Sequence, residues 1–308
     1  MTTATDSDAT VGPFQLDAGE PVADGIRRMV ASQLDAAIAG LSGTGDDTDG
    51  KTVHEARKSC KRVRATLRLG RKALGSDCYG WANTEVRDAA RTLSRARDAA
   101  VLATAFDQLL AEAGRPRSFA AVRRRLNTAA SAEAGHEGDA LAEAATRLGG
   151  VRDSMAQWPR NADGWKALGS GLQRIYGKGR KAMTAAVADP SDEALHDWRK
   201  TTKYLWHALE LLRPAWPGTL KPLAKQAHEL SDLLGDDHDL AVLATVLESD
   251  GGLPVTLQRL IDQRRAELQR DAVSLGQRLY AERPTDFARR LGGVHRIWRS
   301  EAAARAGA

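Results

Sequence analysis

The strongest constraint on the fold is a pair of similar segments that lie far apart in the chain. Residues 53–69 read VHEARKSCKRVRATLRL, and residues 195–211 read LHDWRKTTKYLWHALEL, at an offset of 142. A second pair follows in the same order at an offset of 141, namely LSRARDAAVL at 93–102 and LGDDHDLAVL at 234–243. Two ordered matches at nearly one offset indicate an internal duplication. We therefore predict two halves of similar architecture with a boundary near residue 160.

Apolar residues recur with the period of an α-helix, and no segment alternates convincingly as a strand does. The predicted helical segments cover roughly 22–40, 52–74, 82–113, 118–156, 164–188, 190–213, 219–249, 254–281 and 285–303. Asp189-Pro190 predicts a helix start, because an acidic cap there precedes a proline that suits the first turn. Aromatic residues make up only 5% of the chain, which favours helix over strand. The sequence thus predicts an all-α fold of two pseudo-symmetric four-helix bundles from an internal duplication.

Charge is distributed unevenly along the chain. Residues 1–50 contain nine acidic and two basic residues, whereas the remaining 258 contain 43 basic and 31 acidic residues. The formal net charge of +5 therefore conceals a basic body. We predict a disordered acidic tail over residues 1–21 and one helical domain over 22–300, with a first repeat of about 22–158 and a second of about 163–300.

Cysteine content and hydropathy exclude several classes of protein. Cys60 and Cys78 form no metal-ligand spacing and allow at most one disulfide, which fits a reducing compartment. The N-terminal MTTATDSDAT has neither the basic nor the apolar region of a signal peptide. The longest apolar run, 240–247, is too short to cross a bilayer. We expect a cytoplasmic protein that makes no membrane contact.

Each copy of the first repeated segment carries a basic stripe on one side of a helix. In the first copy the stripe comprises His54, Arg57, Lys58, Lys61, Arg64 and Arg68, and in the second His196, Arg199, Lys200, Lys203 and His207. The opposite side of the first copy is apolar and includes Cys60. Like charges one turn apart on a helix repel each other. Because both helices carry several of them on one face, we favour a surface that binds an anion and so removes this repulsion. A third basic face carries Arg174, Lys178 and Lys181, and its counterpart in the first half contains Arg28.

Paired HxxRKxxK helices, each followed by a helix with a Leu-(Gly/Ser)-x-x-x-Asp-x-x-Val-Leu pattern, resemble a CHAD domain (conserved histidine α-helical domain). The resemblance covers about 22–300, and the absence of an ExExK motif suggests a stand-alone CHAD protein. It implies binding of inorganic polyphosphate along a basic central surface, without catalysis, metal or cofactor, and association with polyphosphate or storage granules. The implied phosphate-binding residues are those of the two stripes and of the third basic face, together with Arg28. Trp206 and His207 depart from the family's second motif, which implies fewer contacts from the second half.

Two other functions remain open from the residues alone. Phosphate contacts would equally serve a nucleic-acid-binding protein, although the stripes lack the interleaved aromatic residues that stack bases. The run Asp236-Asp237-His238-Asp239 and the pair His196-Asp197 are similar to the His-Asp pairs of metal-dependent phosphohydrolases. Adjacent helical residues point about 100° apart, so each pair offers one ligand to a given metal site. A structural role is the alternative, in which Asp98 and Asp239 buttress a cation on the neighbouring basic helix.

Overall fold

The structure is a computed structural model, and it describes residues 14–43, 51–93, 98–115, 117–133, 138–249 and 252–307. Within these ranges the chain forms twelve α-helices and no strand, so the all-α prediction is confirmed. The helices are α1 (Val22–Ser42), α2 (Lys51–Leu69), α3 (Arg71–Leu74), α4 (Ser76–Thr92), α5 (Asp98–Glu112), α6 (Ala120–Glu133), α7 (Gly138–Ser154), α8 (Trp165–Ala188), α9 (Asp192–Leu212), α10 (Pro217–Ser249), α11 (Val255–Leu279) and α12 (Pro284–Ala306).

Helices pack in a similar order in the two halves. In the first half α1 packs against α2 and α7, and in the second half α8 packs against α9 and α12. The two helices that carry the basic stripes, α2 and α9, contact each other directly, and α8 also packs against α2. This arrangement parallels the predicted repeat, while the internal duplication itself stays a prediction.

Two hydrophobic clusters form the core, and each draws on both halves of the chain. The larger cluster runs from Leu16 to Leu291 and includes the apolar sides of α2 and α9. Cys60 lies within it, and burial raises the pKa of its thiol to about 12. The smaller cluster joins α5 and α6 to α10 and α11. Helix α10 contributes to both clusters along a length of about 50 Å. Because both clusters are shared, the predicted repeats do not have separate cores.

A close helix crossing brings α8 against α2. A Cβ atom added at Gly171 would lie 2.0 Å from the carbonyl oxygen of Leu69 and 2.9 Å from that of Arg68. The atoms that this Cβ would meet are backbone atoms of α2, which cannot move aside as a flexible side chain can, so this crossing requires glycine. The crossing fixes where the next turns of α8, which carry Arg174 and Lys178, lie relative to the stripe on α2.

Some local predictions were wrong. The predicted segment 52–74 is divided at Gly70 into α2 and α3. Helix α9 is capped by Ser191 rather than Asp189, because the hydroxyl of Ser191 accepts a hydrogen bond from the backbone amide of Ala194 (3.3 Å). Residues 94–97 and 134–137, within the predicted segments 82–113 and 118–156, lie outside the described residues.

Part of the predicted tail packs on the domain. Leu16 is 2% exposed, and its backbone amide donates to the carbonyl of Leu211 at the end of α9 (3.1 Å). The ring of Phe14 meets His207 edge-on with a centroid separation of 6.1 Å. The predicted disordered segment of 1–21 therefore does not extend to residue 21, and residues 1–13 lie outside the described ranges.

None of the described helices has an apolar stretch long enough to cross a bilayer.

Candidate anion-binding groove

A groove with a cavity volume of about 610 Å³ lies between α2, α4, α8 and α9, and we refer to it as the basic groove. Its lining contains ten basic side chains, namely Arg57, Lys61, Arg64, Arg68, Arg71, Arg87, Arg91, Arg174, Lys178 and Lys200. Further lining residues include Tyr79, Asn83, His196, Thr201 and Tyr204. None of the lining residues that the structure describes is a carboxylate. Such a lining attracts a ligand that carries several negative charges.

The floor of the basic groove joins the two halves of the chain through arginine and tyrosine. The guanidinium carbon of Arg68 lies 3.9 Å from the ring centroid of Tyr204, and that of Arg64 lies 5.9 Å from it. Arg68 also donates to the side-chain oxygen of Asn83 (2.7 Å). Burial lowers the pKa of Arg68. The Nε atom of Arg64 is buried with no hydrogen-bond partner among the described residues. Two cations are thus held, partly desolvated, against one aromatic face.

Helix α4 supplies groove residues that the sequence analysis missed. Tyr79, Asn83, Arg87 and Arg91 follow each other at intervals of four and so share one face of α4. The guanidinium carbon of Arg71 lies 4.7 Å from the centroid of Tyr79. The helical spacing was visible in the sequence, but nothing in the sequence indicated that this face turns toward α2.

His196 lies in the basic groove and pairs with a histidine of the second repeated motif. Its ring centroid is 4.7 Å from that of His238 on α10. Burial, and then His238, lower the pKa of His196, while burial and Arg199 lower that of His238. Both rings therefore favour the neutral form, which leaves one N–H on each ring to donate to an anion.

Lys203 of α9 is half-buried. Burial, followed by the charges of Arg199 and Lys61, lowers its pKa to about 7. Asp232 and Asp239 on α10 act in the opposite direction. Asp239 thus acts electrostatically on the neighbouring basic helix, as the structural alternative required, while the side chain of Asp98 lies outside the description.

His207 does not reach the basic groove. It is 4% exposed, and burial lowers its pKa to about 3. Its ring stacks on Trp206 with a centroid separation of 4.4 Å, and Phe14 covers it from the N-terminal side. The helical wheel placed His207 on the same side as His196, but the chain around Phe14 covers this end of α9.

Arg28 is engaged elsewhere. It forms an ion pair with Glu20 and donates to the carbonyl of Gln15 (2.7 Å), so it secures the segment that leads into α1. The other predicted site residues outside the groove lining are His54, Lys58, Lys181, Arg199 and Lys203, on the same helices as the lining residues. Lys58 forms an ion pair with Glu55, in which 3.2 Å separates the Nζ atom of Lys58 from the Oε2 atom of Glu55. The basic groove therefore gathers eight of the fifteen predicted residues, namely Arg57, Lys61, Arg64, Arg68, Arg174, Lys178, His196 and Lys200.

The acidic residues within 236–239 on α10 have two different roles, since one forms buried hydrogen bonds and the others line a cavity. Asp237 is 1% exposed and accepts from Arg265 (3.0 Å) and Gln269 (2.8 Å) on α11. Asp236 and Asp239 line a separate cavity, and burial raises the pKa of Asp236. Across the described residues no three His, Cys, Asp or Glu side chains are placed to hold one metal ion.

Comparison with known proteins identifies the fold and the family. PptA from Streptomyces chartreusis superposes with a TM-score of 0.56 at 16% identity, covering 85% of this chain and 98% of that one. The CHAD domain from the plant Ricinus communis gives 0.55 at 18% identity, covering 94% and 97%. Curated proteins yield no significant match. The model of the CHAD domain family matches residues 28–248, which is more than half of the chain. The protein therefore belongs to the CHAD domain family.

Proposed function

We propose that this protein binds inorganic polyphosphate in the basic groove as a non-enzymatic binding and targeting module. The observation that carries the proposal is the lining, with ten basic side chains and no carboxylate among its described residues. Binding a polyanion there would relieve the mutual repulsion of these cations and release its counterions. Arginine can grip two phosphate oxygens at once, and lysine adds point charges between them.

The extent of the cations along α2 favours a linear polyanion. Arg57 and Arg68 lie three helical turns apart, so the groove's cations follow α2 for about 17 Å. Arg174 and Lys178 add a second row from α8. A chain of phosphates presents regularly spaced charge over such a length, whereas a single phosphate would engage only a few of these groups.

The aromatic residues of the groove favour polyphosphate over nucleic acid. Binders of single strands offer open aromatic faces on which bases stack. In the basic groove the faces of Tyr204 and Tyr79 are approached by Arg68 and Arg71, at 3.9 and 4.7 Å. These rings position guanidinium groups, and they present cations rather than free π-faces to a ligand.

The proposed contacts are those of the groove lining, with Arg199 and Lys203 acting through their charge at its edge. Because His207 is buried and Arg28 is engaged by Glu20, we leave both out of the proposed phosphate contacts. His54, Lys58 and Lys181 stay predictions as flanking contacts.

The test is a binding titration with long-chain polyphosphate and with single-stranded DNA as competitor. The groove variant changes Arg57, Lys61, Arg174 and Lys178 to Glu. We expect tight binding by the wild type, loss in the groove variant, and weak displacement by DNA at equal phosphate concentration. Equal displacement by DNA would favour the nucleic-acid-binding function instead. Phosphate release from polyphosphate with Mg²⁺, lost in Asp239→Asn, would contradict a non-enzymatic role.

The targeting part of the proposal has its own test. A fluorescent fusion of the wild type should collect at polyphosphate granules in cells that make them. The fusion of the groove variant should stay dispersed. Identical distributions of the two fusions would contradict targeting through the basic groove.

A further inference from the structure

Helix α4 forms a wall of the basic groove that neither repeated motif includes. Its groove-facing side is tied to α2 and α3 at one end, where Asn83 accepts from Arg68 of α2 (2.7 Å) and Tyr79 lies beneath Arg71 of α3. Arg87 and Arg91 continue the same face by two further turns and also line the groove. The α4 side of the groove thus holds cations beyond those of the two stripes.

Among the described residues, the carboxylate of Asp88 contacts both of these arginines. Arg87 makes a two-pronged contact with Asp88, from Nε to Oδ1 at 2.8 Å and from Nη2 to Oδ2 at 3.1 Å. The Nη1 atom of Arg91 lies 3.7 Å from the same Oδ1. Asp88 itself is not part of the groove lining. This planar contact matches the way a guanidinium grips two phosphate oxygens, so a phosphate and Asp88 would compete for the same donors.

We propose that Arg87 and Arg91 bind ligand phosphates and that Asp88 is an internal competitor that holds both arginines while the groove is empty. This inference rests on the proposed function and deepens it, because it extends the site to a wall that the HxxRKxxK motifs do not mark. Asp88 is 28% exposed and Arg87 38% exposed, so ligand and solvent can reach the pair. A surface ion pair of this kind is weak enough to be exchanged for a polyanion.

The corresponding positions of the second half do not carry these two cations. At the offset of 142, Arg87 and Arg91 correspond to Glu229 and Leu233 on α10. The basic pair of α4 therefore has no counterpart at this offset.

The experiment measures polyphosphate affinity against salt concentration for three proteins. These are the wild type, a double variant Arg87→Ala/Arg91→Ala and the single variant Asp88→Asn. We expect the double variant to bind at least about tenfold more weakly, since each arginine would lose charge-assisted hydrogen bonds. The slope of log affinity against log salt should fall by about 2 if two phosphate contacts disappear. Asp88→Asn should bind a few-fold more tightly than the wild type.

Matched controls separate binding from folding. Arg124→Ala/Arg270→Ala removes two exposed arginines outside the groove lining, and Asp271→Asn removes an exposed carboxylate elsewhere. A double variant Arg87→Lys/Arg91→Lys keeps the charge and should retain the salt slope even if the two-pronged contact is lost. A purely structural role for the Arg87–Asp88 pair would change thermal stability and leave the salt slope at its wild-type value.

The failures of the two proposals are distinguishable. Wild-type affinity and slope in Arg87→Ala/Arg91→Ala, together with lost binding in the groove variant, would overturn the role of α4 and leave the proposed function intact. Weaker binding in Asp88→Asn would overturn the competitor role. A wild type that binds no polyphosphate would overturn the proposed function and this inference with it.

Discussion

Arg68 of α2 lies over the ring of Tyr204 of α9, with 3.9 Å between the guanidinium carbon and the ring centroid. The contact joins α2 and α9, the helices that carry the two basic stripes, at the floor of the basic groove. It also explains how several cations are kept close together in the free protein. The electron-rich face of the ring offsets part of the positive charge that no described carboxylate of the lining neutralises.

Replacing this ring should weaken both stability and binding. We expect Tyr204→Leu to lower the free energy of unfolding by about 1 kcal/mol, because Arg68 and Arg64 lose their aromatic partner. Polyphosphate affinity should fall as well, since both guanidinium groups lose their position. Tyr204→Phe keeps the face of the ring and should behave as the wild type in urea unfolding and in binding. Equal effects of the two substitutions would contradict a cation–π role.

Polyphosphate affinity should fall between pH 6 and pH 8 because of Lys203. Its pKa of about 7 means that the ammonium is mostly charged at pH 6 and mostly neutral at pH 8. A polyanion favours the charged form, so binding is stronger on the acidic side. Lys203→Arg stays charged throughout and should flatten this dependence. Comparing the two proteins with the same ligand cancels the ligand's own titration, and an unchanged pH profile in Lys203→Arg would contradict the prediction.

His207 should destabilise the protein in acid without affecting binding. Its pKa is about 3 in the folded state, below its ordinary value, so the unfolded chain takes up a proton at higher pH than the folded one. Stability is therefore fully present above about pH 6.5 and is lost as the pH falls toward 3. His207→Leu should reduce the difference between the unfolding free energies measured at pH 7.5 and pH 5. An undiminished difference, or a lower polyphosphate affinity at pH 7.5, would count against this placement.

Gly171→Ala should disrupt the helix crossing beneath the basic groove. The added Cβ would lie 2.0 Å from the carbonyl oxygen of Leu69, so α8 must move away from α2. We expect a loss of about 3 kcal/mol or more in unfolding free energy, at the upper end for overpacked sites. Gly293→Ala is the control, since a Cβ there meets nothing within 4 Å and suits a helix better than glycine. Similar melting temperatures for Gly171→Ala and the wild type would contradict the close crossing.

Much of the fold followed from local patterns in the sequence. Helical periodicity located the helical segments, although three of the nine predicted segments each cover two helices, and it placed Cys60 correctly on the buried side of α2. It also predicted which cations of α2 and of α8 lie together on one face of each helix, because residues one turn apart share a face regardless of what packs behind them. The positions at which helices break depend on tertiary contacts instead. At Gly70, for example, an added Cβ atom would lie 2.3 Å from the side chain of Ile26.

The remaining site residues could not be predicted from one helix at a time. His207 lies on the same side of α9 as His196, yet the chain around Phe14 covers it. Arg87 and Arg91 are spaced like many solvent-exposed pairs, and only the crossing of α4 and α2 turns them toward the groove. A helical wheel shows which residues share a face, whereas burial depends on which other segment lies over that face.

The most direct test of the central claim compares two charge-reversed proteins at 50 and 200 mM salt. The groove variant changes Arg57, Lys61, Arg174 and Lys178 to Glu, and the control changes the exposed Arg124, Lys221, Lys225 and Arg270 to Glu. Both variants carry the same net charge. We predict that the control keeps tight polyphosphate binding that weakens on the order of 10³-fold between the two salts, while the groove variant shows no measurable binding. Equal loss in both variants, or binding retained by the groove variant, would contradict a site in the basic groove.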